Sequence, residues 1–203
     1  LLSRFTQKNK TPNFSMDSPR EIRDGEEFAL ETLKTYLLEN NINADDLSIK
    51  QFPSGYSNLT YFLKSSSQEF VLRRPPFGAK SLKGGHDMFR EYNVLKNLKS
   101  QFLKVPDVYL YCDNSEIIGA PFYLMERVEG SIIRPNLQQK DSPGKDVIQN
   151  VSKSLVSTLV ELHNVDIDQA NLNELGNING YVKRQVEGLS LIHISEPTRR
   201  PII

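Results

Sequence analysis

Tryptophan is absent, cysteine occurs once and histidine three times in these 203 residues. The lone Cys112 excludes an intrachain disulfide framework and fits a reducing, intracellular compartment, the cytoplasm first of all. The few His and Cys residues show no metal-ligand spacing, so a zinc site is not expected. No run of about 18 apolar residues is present to span a bilayer. The 25 basic side chains are matched by 25 acidic ones, so the basic excess that favours nucleic acid or an anionic membrane surface is missing. Neither nucleic acid nor membrane is expected as a partner. No Gly-x-Ser-x-Gly nucleophile elbow appears, which argues against a hydrolase of that type.

The two ends differ from the middle. Residues 1–15 are polar, mildly basic and aperiodic, without the apolar core of a secretory signal. They read as a disordered or non-native leader before Met16, with an organellar transit segment as the alternative. Residues 189–203 resemble a translated sequencing-adapter tail and are assigned no fold meaning.

Between these ends, helical and strand patterns alternate. Asp24-Gly25-Glu26-Glu27 has the form of a capping box, and Leu30, Leu33 and Leu37 then repeat at helical spacing until Asn40-Asn41. Residues 47–52, 59–64 and 69–74 read as a three-stranded antiparallel meander. Met88, Tyr92, Leu95 and Leu98 define a second helix, followed by strands at Val108–Cys112 and Phe122–Val128. Five strands and a packed helix describe an α+β lobe over residues 16–128. Residues 129–188 read as a connector and the first helices of an incomplete helical second lobe. In it Ser142-Pro143 suits a helix entry, and Val147, Val151, Leu155, Leu159 and Leu162 form the stripe of a long core helix.

Four features bear on chemistry. In the turn Ser54 to Asn58, Gly55 lets the backbone approach a phosphate, with Ser57 and Asn58 as further donors; equally, it is an ordinary hairpin turn. Arg73 ends the strand Phe70-Val71-Leu72-Arg73, where a protein kinase carries the lysine that contacts nucleotide phosphates. The plain alternative is that Arg73 and Arg74 are strand-end surface charges before Pro75-Pro76. Glu91 lies three residues after Met88 and four before Leu95, on the stripe facing the sheet, where an unpaired carboxylate is costly. Arg73 is its natural partner, unless Glu91 sits at the edge of the stripe beside Arg90. Finally, Glu126 to Gly130 follows an apolar strand. It reads as a hinge in which Glu126 and Val128 offer backbone atoms to an adenine and Met125 lines the pocket, or as a strand ending in a glycine turn. His86 and His163 read as packing or capping histidines, and the many tyrosines and phenylalanines as strand packing.

Taken together, these runs resemble the aminoglycoside phosphotransferase and choline kinase-like family. The pattern comprises Phe52 to Tyr61, Phe70 to Pro76, His86 to Leu95, Ile118 to Gly130 and Gly180 to Gln185, and covers roughly residues 20–188. Its branch resembles stand-alone bacterial phosphotransferases and the kinase-like domain fused to some long acyl-CoA dehydrogenases. The resemblance implies a protein kinase-like amino-terminal lobe and ATP-dependent transfer of a phosphoryl group to a hydroxyl of a small molecule, with magnesium in the complete enzyme. Carried over by position, Gly55, Ser57 and Asn58 lie over the phosphates, Arg73 contacts them, Glu91 orients Arg73, and Met125, Glu126 and Val128 serve the adenine. Hydroxyacyl-CoA or hydroxy acids are the implied acceptors in the dehydrogenase-linked branch, and a mitochondrial or peroxisomal address would follow from such a fusion. The chain departs from the family in one respect: it contains no His-Gly-Asp-x-x-x-x-Asn catalytic loop. No catalytic residue and no metal ligand is therefore assigned. A nucleotide-binding or interaction module without catalytic role is the competing expectation.

Overall fold

The apolar alternation of residues 59–64 and 69–74 produces two central strands, around which the rest of the lobe is built. A computed structural model describes residues 18–53, 57–78, 86–130, 144–176 and 179–195. The strands are β1 (Ser48–Gln51), β2 (Leu59–Lys64), β3 (Glu69–Arg74), β4 (Val108–Cys112) and β5 (Phe122–Glu126). They form one sheet in the order β1-β2-β3-β5-β4, with every neighbouring pair antiparallel. Helices α1 (Leu30–Glu39), α2 (Met88–Leu98) and α3 (Ser115–Ile118) belong to this lobe, and α4 (Lys145–His163) and α5 (Tyr181–Ser195) follow it. The α+β kinase-like lobe of the sequence reading is present, with its meander, fourth and fifth strands and second helix. No helix among the described residues is long and apolar enough to cross a membrane.

Because successive side chains on a strand point to opposite faces, the sheet has two distinct surfaces. On one, Tyr61, Leu63, Phe70, Leu72, Phe122 and Leu124 are buried with Leu33 and Leu37 of α1 and Ile118 of α3. On the other, Phe62, Val71, Arg73, Tyr123 and Met125 alternate with them, and α2 lies across β4 and β5. Asp87 starts α2 by accepting a hydrogen bond from the Arg90 amide at 2.9 Å.

Two expectations are corrected by the structure. Asp24-Gly25-Glu26-Glu27 does not start α1, which begins at Leu30, after Ala29 and without a side-chain cap. Its acids serve the sheet instead: the Glu26 carbonyl accepts from the Tyr61 hydroxyl (2.7 Å), and its carboxylate accepts from Gln51 Nε2 (2.5 Å). The last strand stops at Glu126, two residues short of Val128, opposite Phe70 near the start of β3. Glu69 takes the side chain of Arg127, which also lies 4.6 Å over the Phe62 ring. The hydrogen bond from Arg127, with Lys64 adding to it, holds the Glu69 carboxyl below the usual carboxylate range.

Helix α4 carries the expected apolar stripe, and none of its residues is buried among the described residues, Leu155 being 59% exposed. Its polar contact with the lobe runs through Lys104, whose Nζ reaches Glu161 Oε2 (2.5 Å) and Thr158 Oγ1 (3.3 Å). The expected cap Ser142-Pro143 lies outside the described residues, and Gly144 precedes the first turn. Helix α5 continues through Ser195, into the stretch given no fold meaning from sequence.

Arg74 overturns the surface reading of the paired arginines. It is 1% exposed, donates to the Ile118 carbonyl (2.5 Å) and the Pro75 carbonyl (3.1 Å), and lies 3.7 Å over the Phe77 ring. Burial pulls its pKa below the ordinary arginine value. Arg74→Ala is expected to destabilise the protein by about 2–4 kcal/mol, because it leaves a buried carbonyl without a donor and a void. Arg73→Ala, at a partly exposed site, is expected to cost no more than about 1 kcal/mol. Urea denaturation of the two variants checks the contrast, and equal losses would contradict the opposite-face assignment.

Candidate functional site

Antiparallel pairing places Tyr123 of β5 directly opposite Arg73 of β3. Both project toward α2, and the Asp87 cap sets Glu91 in the first turn of that helix. A carboxylate in this position also benefits from the positive end of the helix dipole. Four groups then converge. Glu91 Oε2 is 2.8 Å from Arg73 Nε and accepts from the Tyr123 hydroxyl at 3.0 Å. Glu91 Oε1 accepts from Asn58 Nδ2 at 2.8 Å. The carbonyl oxygen of buried Asn58 is in turn 2.7 Å from His86 Nδ1. The expected Arg73–Glu91 pair is therefore formed, although Glu91 is less buried than its place on the stripe suggests.

Energetics indicate what the pair is not for. With side chains 33% and 32% exposed, an Arg73–Glu91 contact contributes at most about 1 kcal/mol to folding. Its geometry is also incomplete. Arg73 Nε lies within ion-pair distance of the carboxylate, but its N–H is not aimed at an acceptor. Among the described residues, it is the buried side-chain polar atom with no hydrogen bond. Tyr123, by contrast, is well fixed: burial first, then the negative Glu91 beside it, pushes its phenol far above the ordinary tyrosine range. A cleft of about 520 Å³ adjoins the group, with Arg73, Glu91 and Tyr123 beside the apolar Val94, Leu95 and Met125.

The remaining sequence-selected residues divide. Ser57 is exposed at the foot of β2, next to Asn58, while Gly55 lies outside the described residues. Asn58 is not directed outward: both ends of its amide are engaged, by Glu91 and by His86. Met125 lines the cleft. At the end of β5, the Glu126 amide donates to the Asp107 carbonyl (2.8 Å), and its carboxylate accepts from the Asp107 amide (3.0 Å). The Glu126 amide is thus occupied. Val128 is exposed and makes no backbone hydrogen bond among the described residues. No group of three or more His, Cys, Asp or Glu residues stands together as a metal-ligand set among the described residues, so magnesium has no assigned ligands.

Tyr123 and His86 are the site residues that sequence reasoning missed. From sequence Tyr123 reads as strand packing, and only its registry opposite Arg73 marks it. His86 has no pattern of its own, since its partner Asn58 is distant in sequence and is brought near by the hairpin and α2.

The phenol network has a pH consequence. A tyrosine whose folded pKa is raised contributes stability that is complete below its unfolded pKa of about 10 and lost as pH rises through the folded value. Tyr123 behaves this way, as does Tyr61, pushed up to about 12 by burial. The free energy of unfolding is expected to fall above about pH 10, and Tyr123→Phe is expected to flatten that decline. Urea titrations between pH 8 and pH 11.5, about the accessible window, check it. An unchanged slope in the variant would remove Tyr123 from the account.

Comparison with known proteins bears on what this arrangement belongs to. Residues 48–201 match the sequence pattern of the phosphotransferase enzyme family. The chain is 39% identical over 171 residues to acyl-CoA dehydrogenase family member 11 of Rattus norvegicus, covering 82% of this chain and 22% of the rat protein. It is 30% identical over 178 residues to acyl-CoA dehydrogenase family member 10 of Mus musculus, covering 86% and 16% respectively. The chain thus spans about a fifth of the length of these relatives. Among solved structures, a Ralstonia eutropha JMP134 protein assigned as an aminoglycoside phosphotransferase superposes with a TM-score of 0.68 at 26% identity, over 86% of this chain and 50% of that one. Arg73 and Glu91 fall within the matched residues, as do Asn58 and Tyr123, and the chain belongs to the phosphotransferase enzyme family.

Proposed function

We propose that this chain is the nucleotide-binding lobe of an ATP-dependent phosphotransferase acting on a hydroxyl group of a small molecule. The observation that carries the reading is the Arg73–Glu91 pair on β3 and α2, next to a cleft with both charged and apolar walls. Such a pair adds little to stability, and a strand cation oriented by a helix glutamate is the arrangement that kinases use to hold phosphates. With its Nε held 2.8 Å from Glu91, the Arg73 guanidinium borders the cleft, where its remaining N–H groups suit an anionic ligand. Beyond β5, the Glu126 carbonyl and the Val128 amide suit the donor and acceptor edge of an adenine, with Met125 beside it. The exposed Ser57 is a further donor candidate for the phosphates, and Asn58 supports Glu91.

When bound, the nucleotide supplies the phosphoryl group. The chain's residues orient it: Arg73 neutralises phosphate charge through a planar fork, and Glu91 with Tyr123 keeps that fork in place. Transfer also requires a group that orients the acceptor hydroxyl and a metal site. The His-Gly-Asp loop that supplies these in the family is not among the 203 residues, so binding and not turnover is assigned to this chain. The dehydrogenase names of the relatives favour a hydroxyacyl compound as the acceptor of the whole enzyme.

ATP with magnesium is expected to raise the thermal midpoint of the full chain, equivalent to about 2.7 kcal/mol at a ligand concentration near 100 times Kd. Arg73→Ala is expected to weaken binding at least about tenfold, the loss of one charge-assisted contact. Assays for phosphoryl transfer by this chain are expected to show none. No thermal shift at millimolar ATP, or equal affinity in the Arg73 variant, would overturn the reading.

A further inference from the structure

The amide of Asn58 is a two-way rotor in a buried position, and its orientation decides what Glu91 meets. In the observed orientation Nδ2 donates to Glu91 Oε1 and the carbonyl oxygen faces His86 Nδ1. Turned over, the amide would set its oxygen against a carboxylate. Asn58 is 3% exposed, so water does not readily replace a lost partner. What holds the rotor is the proton on His86: a carbonyl oxygen can only accept, so His86 Nδ1 must donate. A bare Nδ1 lone pair there would favour the wrong orientation.

We propose that His86 is a positioning residue for Arg73, acting through Asn58 and Glu91. The inference rests on the reading of Arg73 as the cation that holds phosphate. The Nδ1–H of His86 fixes the Asn58 amide, the amide fixes one oxygen of Glu91, and the other oxygen, shared with Tyr123, faces Arg73. The chain of contacts joins the loop before α2, the foot of β2, α2 itself and the β3–β5 pair. Without His86 the Glu91 carboxylate loses its directed donor and can turn about its Oε2 contacts. Arg73 then loses a fixed counter-charge, and the phosphate grip becomes less ordered.

Two measurements on the full chain test this. Without ligand, long-range 1H–15N correlation of the histidines at mildly alkaline pH, where an ordinary imidazole is neutral, is expected to show His86 as the Nδ1–H tautomer. In Asn58→Ala the signal is expected to revert to the Nε2–H form that free imidazole prefers. An Nε2–H tautomer in the unaltered protein would overturn the inference whatever ATP does. In the second measurement, His86→Ala is expected to raise the Kd for ATP about 3- to 10-fold, the loss of one directed hydrogen bond, and to lower the urea midpoint because the buried Asn58 carbonyl loses its donor. His86→Asn, whose amide nitrogen can take the place of Nδ1, is expected to restore binding to within about twofold, whereas His86→Gln is not. In a Glu91→Gln background, His86→Ala is expected to have no further effect, since the two act in one chain. Equal weakening by the Asn and Gln variants, or full additivity with Glu91→Gln, would overturn it. An unaltered protein that shows the Nδ1–H tautomer but binds no ATP would support the His86 link while overturning the nucleotide reading.

Discussion

The pleat of one strand separates two adjacent arginines, and the rest of the lobe is organised around that separation. Arg73 and Arg74 are consecutive on β3, so their side chains leave opposite faces of the sheet. Arg74 enters the core side, where α1 and α3 cover the sheet, and ties the end of β3 to the Ile118 carbonyl of α3 and the Phe77 ring. Arg73 emerges under α2, where its partner is a half-exposed carboxylate. One cation is buried as part of the core side, and the other borders the cleft beneath α2. A slip of one residue in the pairing of β3 would exchange the two and destroy both arrangements.

Glu91 is the hub of the chemical face. It accepts from the Asn58 amide and the Tyr123 phenol and pairs with the Arg73 guanidinium, and it stands in the first turn of α2, which packs on that side of the sheet. Three groups from three different segments thus fix the orientation of one partly exposed carboxylate. With both side chains about a third exposed, the Arg73–Glu91 pair contributes little to folding stability.

Much of the lobe is legible in the amino-acid order. Strands β2 and β3 fall on the expected residues 59–64 and 69–74, and α2 on Met88 to Leu98, because local alternation and helical spacing are strong and tertiary contacts agree with them. The partnership of Arg73 and Glu91 is legible too, from spacing and the cost of an unpaired carboxylate. Where local signals compete with distant contacts, the distant contacts prevail. The acids at Glu26 and Glu27 look like a helix cap and become anchors for Tyr61, Gln51 and the local turn. The apolar stripe of α4 looks like core and is exposed, since periodicity announces an amphipathic face but not what covers it.

The amino-acid order by itself determined the sequence of strands and helices in the lobe and placed a cation on β3 and a carboxylate on the sheet-facing stripe of α2. These follow from rules that act over a few residues: pleat, helical period, turn chemistry and the cost of isolated charge. Only the tertiary structure decided which arginine is buried, that Tyr123 stands opposite Arg73, and that His86 reaches Asn58 across 28 positions. The reason is that strand order and register bring together side chains whose sequence separation carries no information. Two equal neighbours in the chain, Arg73 and Arg74, become different in kind only when the sheet has two different faces.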